Sequence, residues 1–418
     1  MKYPRMMPWL HATPAFVYDE QRIKRSLSIL AALRDRSGCR VLYSLKALPL
    51  KSILKQIADG VDGFSVSSAF EARLGREMIR SEGTIHCVGP GITPAALPQL
   101  IEQCDYVVFN SWEQWIRFGK KIPKDLKIGL RVNPQLSFVK NKHYDPCWRG
   151  SKLGVPLSSL ISLYKKNRED FRGISGIHFH NQSEAGSFRP LLQTSRHIQN
   201  FLSPMLRGLE WVNLGGGYNY DEITEQEPFF EAVTLWKKYN LNVWIEPGDA
   251  VIGQAGTLVT RVIDLFKNGL QHIAILDTSI NHLPYPFEKD ERPLILNSQS
   301  RGRYVYRLAG CSCLAGDDFG SFRFAEALEI GSIILFGDTG AYSLVKAHQF
   351  NGINLPALFY LNSAGELIKL KEFTYVDFIN LWEDGSTSVK NTLRRLNKIN
   401  DPTDPQKSLP KRVRALTI

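Results

Sequence analysis

The chain has 418 residues, of which 43% are hydrophobic and 22% charged, a composition typical of a globular protein with two or three domains. No apolar run approaches the ~18 residues that a membrane span needs, and no continuous apolar stretch follows the basic residues of segment 1–14, so neither a membrane protein nor a secretory signal is expected. The net charge is +11, but segment 384–418 alone carries eight basic and three acidic residues, which predicts a flexible basic tail and no nucleic-acid partner.

The first part of the chain alternates strands and helices. A strand is expected at Thr13–Tyr18 and a helix at Glu20–Asp35. Short runs rich in β-branched or aromatic residues then predict eight strands: Val41–Lys46, Gly63–Ser67, Thr84–Val88, Tyr106–Asn110, Lys127–Asn133, Ile174–His180, Trp211–Gly215 and Asn242–Glu246. Helical periodicity lies between them, as in Lys51–Ala58, Phe70–Ile79, Ala95–Gln103, Leu157–Lys166 and Pro228–Tyr239. Eight parallel strands suffice to close a (β/α)8 TIM-like barrel over residues 19–255.

The pattern changes after about Ala255, where runs of strand character follow one another without helices. They are Leu258–Leu265, His272–Asp277, Tyr304–Leu308, Ile333–Phe336, Ala357–Leu361 and Leu367–Lys371. This predicts an all-β domain, a β-barrel or sandwich, over residues 256–383. The strand within residues 1–18 precedes the first barrel helix, so we expect it to join the β-domain. The predicted fold class is therefore α/β plus all-β.

Reactive side chains collect at the carboxyl ends of the predicted barrel strands, the face where such barrels carry their active sites. Lys46 closes an apolar run, an unusual position for an ammonium group, which is rarely buried unless it is paired or chemically used. The same face would carry His178, His180, Gly215, Gly216, Gly217, Glu246 and Gly248. This face is therefore the candidate site.

Two patterns on this face suggest what it binds. The glycines Gly215–Gly217 expose backbone N–H groups that suit a phosphate, although a tight turn would explain them equally well. They do not form a G-x-G-x-x-G motif, because Tyr220 stands where the last glycine is required. His178 and His180 point to one face of their strand without further ligands at metal-binding spacing, which favours pocket residues over a metal site.

A lysine, a phosphate cradle, a histidine and a glutamate on one face indicate pyridoxal 5′-phosphate (PLP). A lysine amine can join the cofactor's aldehyde covalently, and a carboxylate can keep its pyridine nitrogen protonated.

Motifs along the chain resemble the fold-type III PLP-dependent decarboxylases, which combine an alanine-racemase-like barrel with a β-domain. The resemblance extends from about Thr13 to about Trp382. It is carried by Thr13–Val17, Ser44–Ala47, Ser67–Gly75, Leu130–Pro134, Gly150–Gly154, Gly176–His180, Val212–Gly217, Glu246–Gly248, Cys313–Asp317, Ala341–Tyr342 and Phe350–Pro356. Within the family, the sequence is most similar to the branch that acts on carboxynorspermidine.

The resemblance implies how PLP is bound. Lys46 would hold it covalently, His180 would stack on its ring, and Glu246 would pair with the ring nitrogen. Phosphate-binding roles are implied for Gly215, Gly216, Gly217, Gly248 and Tyr342.

The resemblance also implies residues that act on the substrate. Cys313 would protonate the carbon that loses CO2, and it would reach the site from the other subunit of a homodimer. Asp317 would bind an ammonium group of the substrate, with Glu246 close by.

The implied reaction is PLP-dependent decarboxylation of a carboxylated polyamine, carboxynorspermidine or carboxyspermidine. Lys152 stands where relatives usually have arginine, and Ser65 where ornithine decarboxylases have aspartate, which leaves the substrate open. Alternatives are a decarboxylase of another diamino acid, such as diaminopimelate or an acid of a specialised pathway, and an inactive homologue that acts by binding. The presence of both Lys46 and Cys313 argues against the inactive homologue.

The six cysteines show neither a C-x-x-C pair nor the spacing of a disulfide framework. Free thiols in a reducing compartment are expected, so the predicted location is the cytoplasm.

Overall fold

A computed structural model of the protein describes residues 12–139 and 141–383, so the tail predicted at 384–418 lies outside the described residues. The chain enters through strand β1 (Ala15–Asp19) and helix α1 (Glu20–Ser37). Asp19 caps α1, because its carboxylate accepts hydrogen bonds from the backbone N–H groups of Gln21 and Arg22. Gly38, with a φ of 64°, ends the helix.

Eight parallel strands close a barrel, which confirms the predicted TIM-like fold. They are β2 (Arg40–Ser44), β3 (Gly63–Val66), β4 (Thr84–Val88), β5 (Tyr106–Phe109), β6 (Lys127–Asn133), β8 (Gly176–His178), β9 (Trp211–Asn213) and β10 (Asn242–Ile245), while β7 (Val155–Pro156) pairs only with β6. The ring closes because β10 pairs with β2. The predicted first strand is shorter than expected, since it ends at Ser44 and Lys46 lies in the following 3-10 turn, Leu45–Ala47.

A helix follows each barrel strand and covers the outside of the ring. These helices are α2 (Lys51–Ala58), α3 (Ala69–Met78), α4 (Leu97–Gln103), α5 (Trp112–Phe118), α6 (Leu157–Lys166), α7 (Arg189–Leu206), α8 (Glu227–Lys237) and α9 (Asp249–Ile252). No helix within residues 12–139 and 141–383 is long and apolar enough to cross a membrane.

Aromatic side chains fill the barrel interior towards the amino ends of the strands. His86 of β4 and Trp244 of β10 have ring centroids 4.4 Å apart, and their strands are not neighbours, so this contact crosses the interior. Trp211 also packs against His86. Gly129 and Gly176 make room for it, because a Cβ on either would lie 2.4 or 2.1 Å from the indole. The cavity is therefore left at the carboxyl ends of the strands.

The C-terminal part forms a mixed sheet. Its strands are β11 (Gly256–Asn268), β12 (Gln271–Leu276), β13 (Tyr304–Ala309), β14 (Asp318–Phe324), β15 (Ile333–Phe336), β16 (Ala357–Leu361) and β17 (Leu367–Lys371), with helices α10 (Pro284–Glu288) and α11 (Tyr375–Ile379) beside them. The N-terminal β1 pairs antiparallel with β11 and parallel with β16. Strand β14 adds to the predicted set. Gly320 and Ser321 interrupt its apolar pattern, and it forms by pairing with β13.

Candidate active site

The open end of the barrel holds a cavity of about 630 Å³, which we call the large cavity. Lys46 reaches it after β2, His178 ends β8, and Glu246 follows β10. A second space of about 120 Å³, the small compartment, shares Lys46, His180, Ser183 and Glu246 with the large cavity. The barrel therefore brings together the lysine, histidine and glutamate that the sequence patterns selected.

Lys46 lines both spaces from the turn after β2. Its side chain is accessible from the cavity, but the surrounding protein removes much of its hydration, and this desolvation lowers the pKa of the amine. The negative charge of Glu246 opposes this shift in the pKa, and the positive charge of Arg131 adds to it. A lower pKa increases the fraction of uncharged amine, the form that attacks a carbonyl group.

Glu246 is a buried carboxylate with two side-chain partners. Nδ2 of Asn213 donates to its Oε1 at 2.7 Å, and Nε2 of His178 lies 3.2 Å from its Oε2. Burial alone would raise the pKa of Glu246, but its interactions with His178 and Lys46 hold that pKa well below its ordinary value. Burial also lowers the pKa of His178, so this imidazole is a neutral donor and Glu246 carries the charge.

His180 is a neutral imidazole between the two spaces. Its Nδ1 accepts a hydrogen bond from the backbone N–H of Gly216 at 3.1 Å, and its carbonyl oxygen accepts one from the thiol of Cys147 at 3.4 Å. Desolvation and the positive charges of Lys46 and Arg131 hold the pKa of His180 well below 6.5. The proton of the ring is therefore on Nε2, and the uncharged ring can stack on another aromatic ring.

The glycines after β9 form a tightly packed turn. Gly215 and Gly217 have φ values of 73° and 87°, which favour glycine. A Cβ on Gly216 would lie 2.2 Å from the carbonyl oxygen of Glu246, and one on Gly217 would lie 2.1 Å from that of Gln182. This close approach requires glycine at each position.

The phosphate contacts predicted for the three glycines stay a prediction, and their N–H groups have different partners within the protein. The N–H of Gly215 donates to Oδ1 of Asn213 at 2.9 Å, and the N–H of Gly216 donates to His180. Within the described part of the chain, the N–H of Gly217 has no such acceptor, and Gly217 lines the small compartment together with Gly248. Gly215 and Gly216 therefore shape the turn, while Gly217 and Gly248 face the compartment.

Residues of the C-terminal sheet region close the small compartment. The N–H of Tyr342 donates to the carbonyl of Ala47 at 3.0 Å, which places Tyr342 against the lysine turn. Its ring lies 4.8 Å from that of Tyr285, whose hydroxyl donates to Glu184 at 2.7 Å. Gly217, Gly248 and Tyr342 line the compartment, and backbone N–H and tyrosine hydroxyl groups are donors of the kind that suits a phosphate.

Sequence patterns assigned no role to three residues at this site. Arg131 lines the large cavity at the end of β6, and Ser183 lines both spaces. Asn213 is fully buried and bonded to Glu246. Arg131 and Asn213 each lie an even number of residues from side chains of the same strand that face the barrel interior, and this alternation could have identified them from the sequence. No pattern in the sequence around Ser183 marks it.

The structure does not place Cys313 or Asp317 in the cavity that holds Lys46 in the same chain. Cys313 is exposed on the loop before β14, where its N–H donates to the side chain of Asn351 at 3.0 Å. Asp317 is buried, and its carboxylate accepts hydrogen bonds from the backbone N–H of Ile280 at 2.8 Å and from Ser312. Within its own chain this carboxylate orders the loop that carries Cys313, and the substrate contact of Asp317 stays a prediction.

Asp249, which follows Gly248, is an unfavourable charge at neutral pH. Burial and the carboxylates of Asp338, Asp221 and Glu222 raise the pKa of Asp249 from 3.8 to about 6. The folded state then binds this proton more tightly than the unfolded state, so the stabilisation is complete below pH 3.8 and is lost as the pH rises through about 6.

We expect Asp249→Asn to increase the free energy of unfolding of the cofactor-free protein by about 1–2 kcal/mol near neutral pH, and by much less near pH 4. Urea unfolding at the two pH values measures this difference. Asp125→Asn, at an exposed position, is the control and should show no such pH dependence. An equal effect of Asp249→Asn at both pH values would contradict the expectation.

The residues present fit PLP. Lys46 offers an amine of lowered pKa, Glu246 an ionised carboxylate, and His180 a neutral ring beside them. A Cβ would fill the turn at Gly217, where the small compartment offers N–H and hydroxyl donors. An aldehyde, a protonated pyridine and a phosphate would each meet a suitable partner.

Comparisons with known proteins agree with this arrangement. The family model described as "Pyridoxal-dependent decarboxylase, C-terminal sheet domain" matches residues 15–340. A carboxynorspermidine/carboxyspermidine decarboxylase of Campylobacter jejuni is 32% identical, over 88% of this chain and 97% of the relative. A carboxyaminopropylagmatine decarboxylase of Synechocystis sp. is 33% identical, over 88% of this chain and 95% of the relative.

A solved structure is similar over nearly the whole fold. The carboxynorspermidine decarboxylase of Campylobacter jejuni in complex with norspermidine superimposes with a TM-score of 0.79 and 29% identity, covering 89% of this chain and 100% of that chain.

Proposed function

Because the chain belongs to the pyridoxal-dependent decarboxylase family, we propose that it releases CO2 from the amino-acid end of a carboxylated polyamine, carboxynorspermidine or carboxyspermidine. The observation that carries this proposal is the similarity, over nearly the full length of both chains, to decarboxylases of such compounds. The norspermidine complex of a similar structure supports the same substrate class. The large cavity, about 630 Å³, lies in the size range of small-molecule sites.

The two spaces divide the cofactor between them. Gly217, Gly248, Ser183 and Tyr342 line the small compartment and would hold the phosphate of PLP there through N–H and hydroxyl groups. Lys46, where the two spaces meet, would hold the cofactor covalently. The substrate would then occupy the large cavity.

The residues around the ring control protons and charge. PLP, when bound, accepts the electron pair that remains on the α-carbon when CO2 departs. Glu246, held ionised by its partners, would keep a proton on the ring nitrogen. Neutral His180 would pack on the ring without adding a positive charge. Arg131 lines the same cavity and would attract the substrate's carboxylate.

We further propose that the protein acts as a homodimer in which Cys313 of one subunit serves the cavity of the other. Cys313 is exposed and lines neither space in its own chain, while Asp317 and Asn351 hold its loop in a defined shape. A thiol in this position would donate the proton that replaces CO2 on the α-carbon.

Mixing two inactive variants tests the shared site. We expect Lys46→Ala and Cys313→Ala each to be inactive alone, and their refolded equimolar mixture to recover about one quarter of wild-type activity. Half of randomly formed dimers are mixed, and each mixed dimer has one intact site. The mixture of Lys46→Ala with Glu246→Gln is the control and should show no such recovery, because both residues line the same cavity of one chain. No recovery in a mixture shown by mass spectrometry to contain mixed dimers would refute a site shared between subunits.

A second candidate substrate is carboxyaminopropylagmatine, favoured by the similarity to the Synechocystis enzyme. It would share the amino-acid end but carry a guanidinium at the distal end in place of an ammonium. CO2 release should be measured with carboxynorspermidine, carboxyspermidine, carboxyaminopropylagmatine and diaminopimelate. We expect the highest kcat/KM with a carboxynorspermidine-type substrate. Preference for the guanidinium compound would select the second candidate, and turnover of diaminopimelate alone would refute both.

A further inference from the structure

A closed ring of hydrogen bonds links the carboxylate of the site to the glycine turn. Nδ2 of Asn213 donates to Oε1 of Glu246 at 2.7 Å. The backbone N–H of Glu246 donates to the carbonyl of Gly215 at 2.8 Å, and the N–H of Gly215 donates back to Oδ1 of Asn213 at 2.9 Å. Asn213 at the end of β9, Gly215 just after it and Glu246 just after β10 are thus connected by side-chain and backbone hydrogen bonds.

The chemistry of this ring requires the asparagine amide. Asn213 is fully buried, so each of its polar groups needs a partner. It must donate to a carboxylate and accept from an N–H group, and a neutral amide does both. A leucine at this position would remove the hydrogen bonds to both the carboxylate of Glu246 and the N–H of Gly215. An aspartate would still accept from Gly215 but would place a second carboxylate against Glu246.

The glycine turn connects this ring of hydrogen bonds to the small compartment. The N–H of Gly216 next in the chain donates to His180, and Gly217 then lines the compartment proposed for phosphate. The carboxylate of Glu246, the ring of His180 and the compartment proposed for phosphate are therefore all held by hydrogen bonds to the same turn and its neighbour Asn213. Asn213 is the side chain that touches both Glu246 and the turn.

We propose that Asn213 is a positioning residue that couples the two ends of the cofactor site, setting the carboxylate for the ring nitrogen and the glycine turn for the phosphate. This inference rests on the proposed PLP-dependent function and assigns a role to a residue that does not itself touch the cofactor. Loss of Asn213 should weaken binding at both ends, whereas loss of Glu246 should affect only the ring end.

The test uses two probes that report the ends separately on the cofactor-free protein. Pyridoxal, which lacks the phosphate, reports the ring end, and competition of inorganic phosphate with PLP reports the phosphate end. Asn213→Leu should weaken both by about 10-fold, the effect of losing one hydrogen bond at each end. Glu246→Gln should weaken pyridoxal alone. Asn213→Asp should keep phosphate binding within about threefold, because it retains the acceptor for Gly215.

The aspartate variant gives a signature that a merely structural residue would not produce. Two carboxylates in contact cannot both ionise easily, so one pKa of the pair is raised. The absorbance of bound PLP in Asn213→Asp should therefore show an additional titration step that is absent from the wild type. Asn133 is a matched control, since this buried asparagine at the end of β6 also accepts from the N–H two residues on, at 2.9 Å, but donates to the carbonyl of Trp148.

The outcomes separate this inference from the function on which it rests. If the wild type does not bind PLP, the proposed function fails. If it does bind PLP, but Asn213→Leu weakens only one probe or Asn213→Asp titrates like Asn133→Asp, the coupling role is wrong. Should Asn213→Leu fail to fold, as judged by circular dichroism, the titration of Asn213→Asp decides.

Discussion

Replacing Lys46 by alanine is expected to lower kcat/KM by about 10²- to 10⁴-fold, the usual range for removal of a positioned catalytic group. The physical reason is that Lys46 supplies the amine of lowered pKa where the two spaces meet. The variant should also lose the covalent link to PLP. Borohydride reduction of the wild type, followed by peptide mass spectrometry, should place the phosphopyridoxyl group on Lys46, and the alanine variant should carry none.

The matched control is Lys51→Ala, five residues further along the chain. Lys51 is exposed at the surface and pairs with Glu77 at 2.9 Å, so its loss should change activity by less than about twofold. A phosphopyridoxyl group on a lysine other than Lys46 in the wild type would show that PLP is attached at a different residue. Full activity in Lys46→Ala would exclude its catalytic role.

Replacing Glu246 by glutamine is expected to lower kcat by about 10²- to 10³-fold, the effect of removing one preorganised electrostatic partner. Glutamine keeps the shape of the side chain but cannot hold a proton on the pyridine nitrogen. PLP should still attach to Lys46, so the loss should appear in kcat. Steady-state CO2 release and borohydride labelling of the same sample separate these two effects. Glu210→Gln, in a surface pair with Lys127, should leave both unchanged.

The pH dependence of stability provides an independent measure of the same carboxylate. The folded-state pKa of Glu246 lies below its ordinary value of 4.5, so its contribution to stability is present above pH 4.5 and is lost as the pH falls from there towards the folded-state value. The free energy of unfolding of the cofactor-free protein should therefore fall less steeply below pH 4.5 in Glu246→Gln. Equal slopes in the two proteins would show that Glu246 has no depressed pKa.

Local sequence was sufficient where a feature depends on one strand and its immediate end. The eight barrel strands were predictable because each is a short β-branched or aromatic run with its own boundaries. The face that carries Lys46, His180 and Glu246 followed from the rule that parallel strands end on the same side. Strand β14 could not be predicted in this way, because Gly320 and Ser321 interrupt its apolar pattern. It forms through its antiparallel pairing with β13, which local sequence does not reveal.

Hydrogen bonds between distant segments were not predictable from local patterns. Gly215 and Gly216 are consecutive glycines in the sequence, but their N–H groups are engaged by Asn213 and His180, which leaves Gly217 to face the small compartment. Similarly, the carboxylate of Asp317, for which the resemblance implies a substrate contact, accepts hydrogen bonds from the N–H groups of Ile280 and Ser312.

The sequence by itself determined that this protein would form a strand–helix barrel with Lys46, His180 and Glu246 on one face, because strand propensity and side-chain alternation are local properties of the chain. The tertiary structure alone decided which groups remain available to a ligand and which are engaged inside the protein. That decision depends on burial and on partners from other strands. The ring of Asn213, Gly215 and Glu246 exists only when β9 and β10 lie side by side.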